Sequence, residues 1–246
     1  MQDAHRPAAL VTGGSRRIGA AISRRLHAAG YDLAIHYRHS QAEAQALRSE
    51  LEAQRPDSVL LLPAELADAG APEALVAAAL AHFGRLDALV NNASAFYPTP
   101  VGAAGATQWE ELFASNARAP FFLSQSAAPA LKAARGAIVN LLDIHAERPL
   151  REHTLYVMAK AALAAMTRSL ALELAPEVRV NGVAPGAVLW PEQGKADQEK
   201  AALLAATPLG RAGSAEEIAE AVRWLLQDAS YVSGQVLRVD GGRSVT

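Results

Sequence analysis

Ala8-Ala9-Leu10-Val11-Thr12-Gly13-Gly14-Ser15-Arg16-Arg17-Ile18-Gly19 decides the fold. A short apolar run that reads as a strand ends in paired glycines. A segment of helical period follows, with Ile18, Ile22, Leu26 and Ala29 spaced four, four and three apart before Gly30 supplies a stop. Strand, glycine turn and helix in that order leave free backbone N–H groups at a helix N-terminus, where a dinucleotide pyrophosphate is held.

Working outward, Val/Ile/Leu-rich runs alternate with longer helical segments to the end of the chain. Strands are expected near Ala8 to Thr12, Asp32 to Tyr37, Ser58 to Pro63, Leu86 to Asn91, Gly136 to Leu142, Val178 to Ala184 and Gln235 to Val239. Between them, Ala159, Leu163, Met166, Leu170 and Leu174 form one helical stripe ended by Pro176, and Ser214 with Glu217 resembles a capping box. The alternation predicts an α/β fold, a doubly wound parallel sheet of about seven strands with helices on both faces. No linker or repeat divides residues 1–246, so one domain is expected. The polar, alanine-rich stretch at about 187–211 leaves the carboxyl end of a strand, where such folds build substrate loops.

Composition narrows the chemistry. The chain is 51% hydrophobic and 20% charged, which gives ample material for a core. Its net charge of -2 offers no field for a nucleic-acid backbone. With 0 Cys, thiol nucleophiles, disulfides and iron-sulfur clusters are excluded. No His pair sits at metal-ligand spacing with a third ligand, so no metal is expected, and no Gly-x-Ser-x-Gly points to a serine hydrolase. The greasiest runs, such as Val59 to Pro63, fall far short of a membrane span, and Met1 to Pro7 carries no apolar signal core. A soluble cytoplasmic protein is expected.

Two further segments carry chemistry. A fold that binds NAD places a carboxylate at the end of the second strand for the ribose hydroxyl. This chain reads His36-Tyr37-Arg38-His39-Ser40 there, with no acid before Glu43. Arg38, Arg16 or Arg17 and the Ser40 hydroxyl suit a 2′-phosphate, which favours NADPH/NADP+. Tyr156 and Lys160 lie four apart on a predicted helix and so share a face. An ammonium beside a phenol stabilises its anion and makes it a proton donor and acceptor. By themselves the two also fit a core tyrosine and a surface lysine.

Thr12 to Gly19, Asn91-Asn92-Ala93, Asn116, Tyr156-x-x-x-Lys160, Pro185-Gly186 and Val239-Asp240-Gly241-Gly242 together resemble the short-chain dehydrogenase/reductases over nearly the whole chain. The resemblance implies a Rossmann-type domain with Tyr156 as proton donor, Lys160 lowering its pKa and holding the nicotinamide ribose, and Asn116 on the fourth helix supporting a water relay. It also implies a cofactor cradle of Gly13, Ser15, Arg16, Arg17, Ile18 and Gly19, then Tyr37, Arg38, His39 and Ser40. Glu65, Leu66, Asn92, Ala93, Ser94, Lys160, Pro185 and Gly186 complete it. Homotetramers are usual in the family.

Two departures sharpen the reading. Arg17 replaces a usual glycine, and Asp143 in Asn140-Leu141-Leu142-Asp143 replaces the usual serine. A serine donates to a ketone oxygen, whereas an ionised carboxylate repels the charge that develops there. A ring bearing N–H groups suits it better, although Asp143 equally fits a turn cap. Both departures, with Asn92 to Pro100 and His36 to Ser40, look like the pteridine reductase branch. Similar dihydromonapterin and dihydrofolate reductases match across Ala175 to Asn181. That branch implies reduction of a pterin or folate stacked on Phe96, with Arg17 and Ser94 near the cofactor phosphates or pterin. Asp143 and Tyr156 deliver a proton, Tyr97 lines the pocket, and Leu189 and Trp190 lie against substrate. A ketoreductase acting on acyl-carrier or small carbonyl substrates and a non-catalytic NADPH-sensing protein are the alternatives.

Overall fold

A computed structural model describes residues 6–188 and 197–246. Seven parallel strands form one sheet: β1 (Ala8–Val11), β2 (Asp32–Tyr37), β3 (Val59–Pro63), β4 (Ala88–Asn91), β5 (Ala137–Leu141), β6 (Arg179–Pro185) and β7 (Val236–Val239). Their spatial order is β3-β2-β1-β4-β5-β6-β7. The order reverses between β1 and β4, which pair directly with Leu10 beside Leu89. The chain leaves the two strands in opposite directions there, which opens a crevice at their carboxyl ends.

The helices are α1 (Arg17–Ala28), α2 (Gln41–Glu52), α3 (Ala71–Phe83), α4 (Ala106–Phe113), α5 (Ala119–Ala134), α6 (Thr154–Glu173), α7 (Asp197–Ala205) and α8 (Ala215–Gln227). Alternation along β1 shows how the layers are held. Ala9 and Val11 pack with Ile22 and Leu26 of α1, Leu47 and Leu51 of α2 and Val222 of α8. Leu10 points the other way, into a core with Val76 of α3, Leu123 of α5 and Leu170 of α6. Both faces of the central strands are therefore covered, as a parallel sheet requires.

The expected capping box is present, with Ser214 Oγ accepting from the Glu217 N–H at 3.2 Å and the Glu217 carboxylate accepting from the Ser214 N–H at 2.8 Å. Gly30 takes φ +97° just beyond α1, which completes the expected stop. Thr12 lies in the turn just beyond β1, where its hydroxyl accepts the N–H groups of Asn92 and Ala93, both at 3.0 Å. Asn116 lies not on a regular fourth helix but in a π-helical segment, Ala114–Arg118, joining α4 to α5. By length and mean hydropathy α6 could cross a membrane, yet Leu163, Thr167 and Leu170 are buried in the protein core. Within the expected substrate loop, α7 is a helix. Leu189 and Trp190 lie outside the described residues.

Candidate active site

The glycine turn and α1 are clamped together by their lack of side chains. A Cβ on Gly19 would lie 2.0 Å from the Gly13 carbonyl oxygen, so no other residue lets the helix close on the turn. Asn92, leaving β4, clips the same turn by donating to the carbonyls of Thr12 at 2.8 Å and Gly13 at 3.0 Å. Gly13 has φ +59°, and its N–H donates to His36 Nδ1 at 3.1 Å. That bond fixes the tautomer: Nδ1 is an acceptor, so Nε2 carries the hydrogen and donates to the Ala64 carbonyl at 3.1 Å. Burial lowers the His36 pKa and favours this neutral form. The sequence placed His36 in the segment read for the cofactor ribose, but not its bond to the glycine turn.

No side chain caps the N-terminus of α1, so its first N–H groups face a cleft of about 540 Å³ lined by Gly13, Ser15 and Arg16 to Gly19. Arg17 adopts φ +51°, the left-handed conformation natural to the glycine it replaces. A side chain there costs about 1–2 kcal/mol.

At the other end of this cleft lie Tyr37, Arg38, His39, Ser40, Glu65 and Leu66. Ser15 and Ser40 share a hydroxyl hydrogen bond of 2.7 Å. Arg38 forms an ion pair with Glu65, and Arg16 stands 3.9 Å from Glu43. No carboxylate stands at the tip of β2 itself. Hydroxyls and an uncapped helix end form a donor set that fits the phosphates of a dinucleotide.

A second cleft of about 230 Å³ opens beyond Arg17 and Ser94, lined by Asp143, Tyr156, Lys160, Pro185 and Gly186 among others. Asp143 leaves β5 and does two things at once. One carboxylate oxygen accepts from the His145 N–H at 2.9 Å, capping the 3-10 turn Ile144–Ala146, and the other accepts from the Tyr156 hydroxyl at 2.8 Å. The turn cap and the link to the phenol, alternatives in the sequence, coexist because a carboxylate has two oxygens.

Burial first, then the charge of Asp143 and the hydrogen bond to it, raises the Tyr156 pKa well above the ordinary range, while Ser94 pulls it down. The phenol of the chain alone thus shifts opposite to the expected depression by Lys160. The Lys160 ammonium sits 5.8 Å from the Tyr156 ring centroid and donates to the Leu141 carbonyl at 2.8 Å. Burial lowers its own pKa to about 8, with Asp143 opposing.

Asn116 is fully buried. Its carbonyl accepts from Ser94 Oγ at 2.7 Å, and its amide donates to the backbone of Ala95 and Leu112 at 2.9 and 3.0 Å. Those bonds position Ser94. Phe96 stands edge-on to Tyr156 at 4.8 Å and stacks on His153 at 4.7 Å, leaving it half exposed. Sequence reasoning missed His153, which precedes α6 and lies far from Phe96 in the chain. The Tyr97 hydroxyl donates to Glu111 on α4 at 2.9 Å. Among the described residues no group of three or more His, Asp or Glu is placed to hold a metal.

Residues 13–244 match the enoyl-(acyl carrier protein) reductase family. The chain is 39% identical to pteridine reductase 1 of Leishmania tarentolae, over 98% of this chain and 97% of that protein. It is 35% identical to a 3-oxoacyl-(acyl-carrier-protein) reductase of Staphylococcus aureus, over 95% and 96% of the two chains. The same identity holds for a putative ketoacyl reductase 2 of granaticin polyketide synthesis in Streptomyces violaceoruber, over 96% and 95%. With this sheet order, this glycine turn and these relatives, the chain belongs to the short-chain dehydrogenase/reductase family and is an oxidoreductase.

Proposed function

We propose that the protein reduces a dihydropterin or a dihydrofolate to the tetrahydro form with NADPH. The observation that carries this reading is the 2.8 Å hydrogen bond from the Tyr156 phenol to Asp143. A carboxylate bonded to the phenol repels the negative charge that grows on a carbonyl oxygen during ketone reduction, and it attracts the N–H edge of a heterocycle. The 39% identity to a pteridine reductase supports it.

The α1 N–H groups, Ser15 and Arg17 would hold the cofactor phosphates, Arg38 and Ser40 the 2′-phosphate, and Lys160 with Pro185-Gly186 the nicotinamide end. When bound there, NADPH supplies the hydride. The protein supplies the proton. While Asp143 is ionised, the phenol hydrogen points at it, and the phenol oxygen presents lone pairs to the pocket. Uptake of a proton by Asp143 reverses that bond, so the carboxyl donates to the phenol oxygen and the phenol hydrogen is released to a ring nitrogen. Phe96 offers its exposed face to a flat ring, with His153 behind it.

The protein assembles as a cytoplasmic homotetramer in this reading. Phe121 and Phe122 on α5 and Met158 on α6 form apolar surface for such contacts. Following cofactor consumption with NADPH and NADH, each against dihydrobiopterin, dihydromonapterin, dihydrofolate and a β-ketoester, tests the proposal. Faster reduction of the ketoester overturns it in favour of the ketoreductase reading that the 35% relatives suggest. A preference for NADH overturns the cofactor assignment.

A further inference from the structure

Two walls of the first cleft meet at His36. It is the penultimate residue of β2 and is almost fully buried, so both ring nitrogens need partners inside the protein. Both partners are backbone groups, and each belongs to a segment at the edge of the cleft.

The residue fixes two consecutive N–H groups of the glycine turn. The Gly14 N–H donates to the His36 carbonyl at 3.0 Å, a bond that any residue at this position could make. The Gly13 N–H donates instead to the ring, at Nδ1 and 3.1 Å, and that bond depends on the side chain. On the far side of the ring, Nε2 donates to the Ala64 carbonyl at 3.1 Å. Ala64 follows β3 and immediately precedes Glu65 and Leu66, which line the opposite end of the cleft. Its own N–H donates to the Tyr37 carbonyl at 3.1 Å, so the segment that His36 grips is itself held to β2.

The turn has little freedom on its other side. Gly13 has φ +59°, and a Cβ there would lie 3.1 Å from Ala93 Cα, so the chain leaving β4 is packed against it. Asn92 holds the Gly13 carbonyl from that side at 3.0 Å, while His36 holds the N–H. Without the imidazole, the Gly13 N–H becomes a buried donor with no acceptor, which is unfavourable until the group reaches water. Gly13 and His36 both line the cleft, so the nearest water lies there. A released turn would rise into the space that a pyrophosphate occupies.

We infer that His36 is a positioning residue for the cofactor: its Nδ1 lone pair holds the Gly13 N–H in place and so sets where the N–H groups at the start of α1 meet the pyrophosphate. The inference rests on the glycine turn being the cofactor cradle and is independent of the pterin reading. The pyrophosphate is common to NADPH and NADH, so His36 supports both alike, whereas Arg38 and Ser40 would act on the 2′-phosphate alone.

Calorimetric titration of wild type, His36→Leu, His36→Asn and His36→Gln with NADPH and with NADH tests this. His36→Leu is expected to weaken both cofactors about tenfold, as for one buried donor left unpaired. Asparagine carries Oδ1 at the same branch point as Nδ1, so His36→Asn should recover most of that loss. The glutamine amide matches Nε2 instead, so His36→Gln can serve Ala64 but should not recover affinity. Full affinity in His36→Leu, loss confined to NADPH, or equal recovery by Asn and Gln overturns the role of His36 and leaves the cradle intact. Wild type that binds neither cofactor overturns the cradle and the inference with it. Exchange of the Gly13 amide hydrogen, followed by NMR on wild-type protein carrying isotope-labelled glycine, decides the matter even if a variant fails to fold. Slow exchange before NADPH is added is expected, and exchange as fast as in an unfolded chain overturns the inference.

Discussion

Replacing Asp143 by serine separates the two jobs of that carboxylate. Serine is as good a cap as aspartate, so its hydroxyl can still accept from the His145 N–H, now at 2.9 Å from Asp143. A single, shorter oxygen cannot also reach the phenol, so the 2.8 Å bond from Tyr156 is lost. A hydrogen bond to a charged group contributes about 1.5–3 kcal/mol, and partial exposure of Asp143 places this one near the lower end. For a chain of this size that lowers Tm by about 3–6 °C.

The effect on turnover is larger. Losing the charge and hydrogen bond of Asp143 lowers the Tyr156 pKa, leaving burial to raise it, but the carboxyl that feeds the phenol a proton is gone, and that loss dominates. General acid catalysis contributes about 100- to 10,000-fold, so kcat for a dihydropterin should fall at least about 100-fold. Cofactor consumption with dihydrobiopterin at saturating NADPH measures this, with a β-ketoester run beside it. A dihydropterin kcat within about threefold of wild type refutes the role of Asp143 in proton delivery.

Gly19→Ala should abolish NADPH binding, read by calorimetric titration, because its Cβ would lie 2.0 Å from the Gly13 oxygen and force α1 off the turn. Unchanged affinity would show that the cradle is not the binding site. Arg17→Gly relieves the φ +51° strain at a smaller entropic cost, so denaturant unfolding should show a gain of up to about 1 kcal/mol while NADPH affinity falls about tenfold. A clear loss of stability would contradict the strain argument. Lys160 titrates at about 8 in the folded chain against 10.5 ordinarily, so between those values the unfolded state binds more protons and stability rises with pH. The full window is worth about 3 kcal/mol. Lys160→Met should be more stable than wild type near pH 7 and lose that rise, and equal pH slopes for the two proteins would refute it.

Burial pattern and spacing determined much of this molecule. Val/Ile/Leu runs broken by helical stripes leave a parallel sheet as the arrangement that buries both faces, and the residue pairs along β1 follow that alternation. The cradle was legible because glycines and a helix start are local features. Asn116 was legible as a residue but not as part of a π-helical segment.

What tertiary structure decided was the direction of side chains with more than one available partner. Tyr97 found Glu111 on α4, and the fold added His153 behind Phe96 and His36 beneath Gly13. Asp143 reached both its turn and the phenol, and Arg148 met Arg243 across 95 residues of chain. Apolar burial is non-directional and can be read from composition along the chain. A hydrogen bond needs a donor and an acceptor within about 3 Å and in line, and residues distant in sequence satisfy that only after the backbone has closed around them.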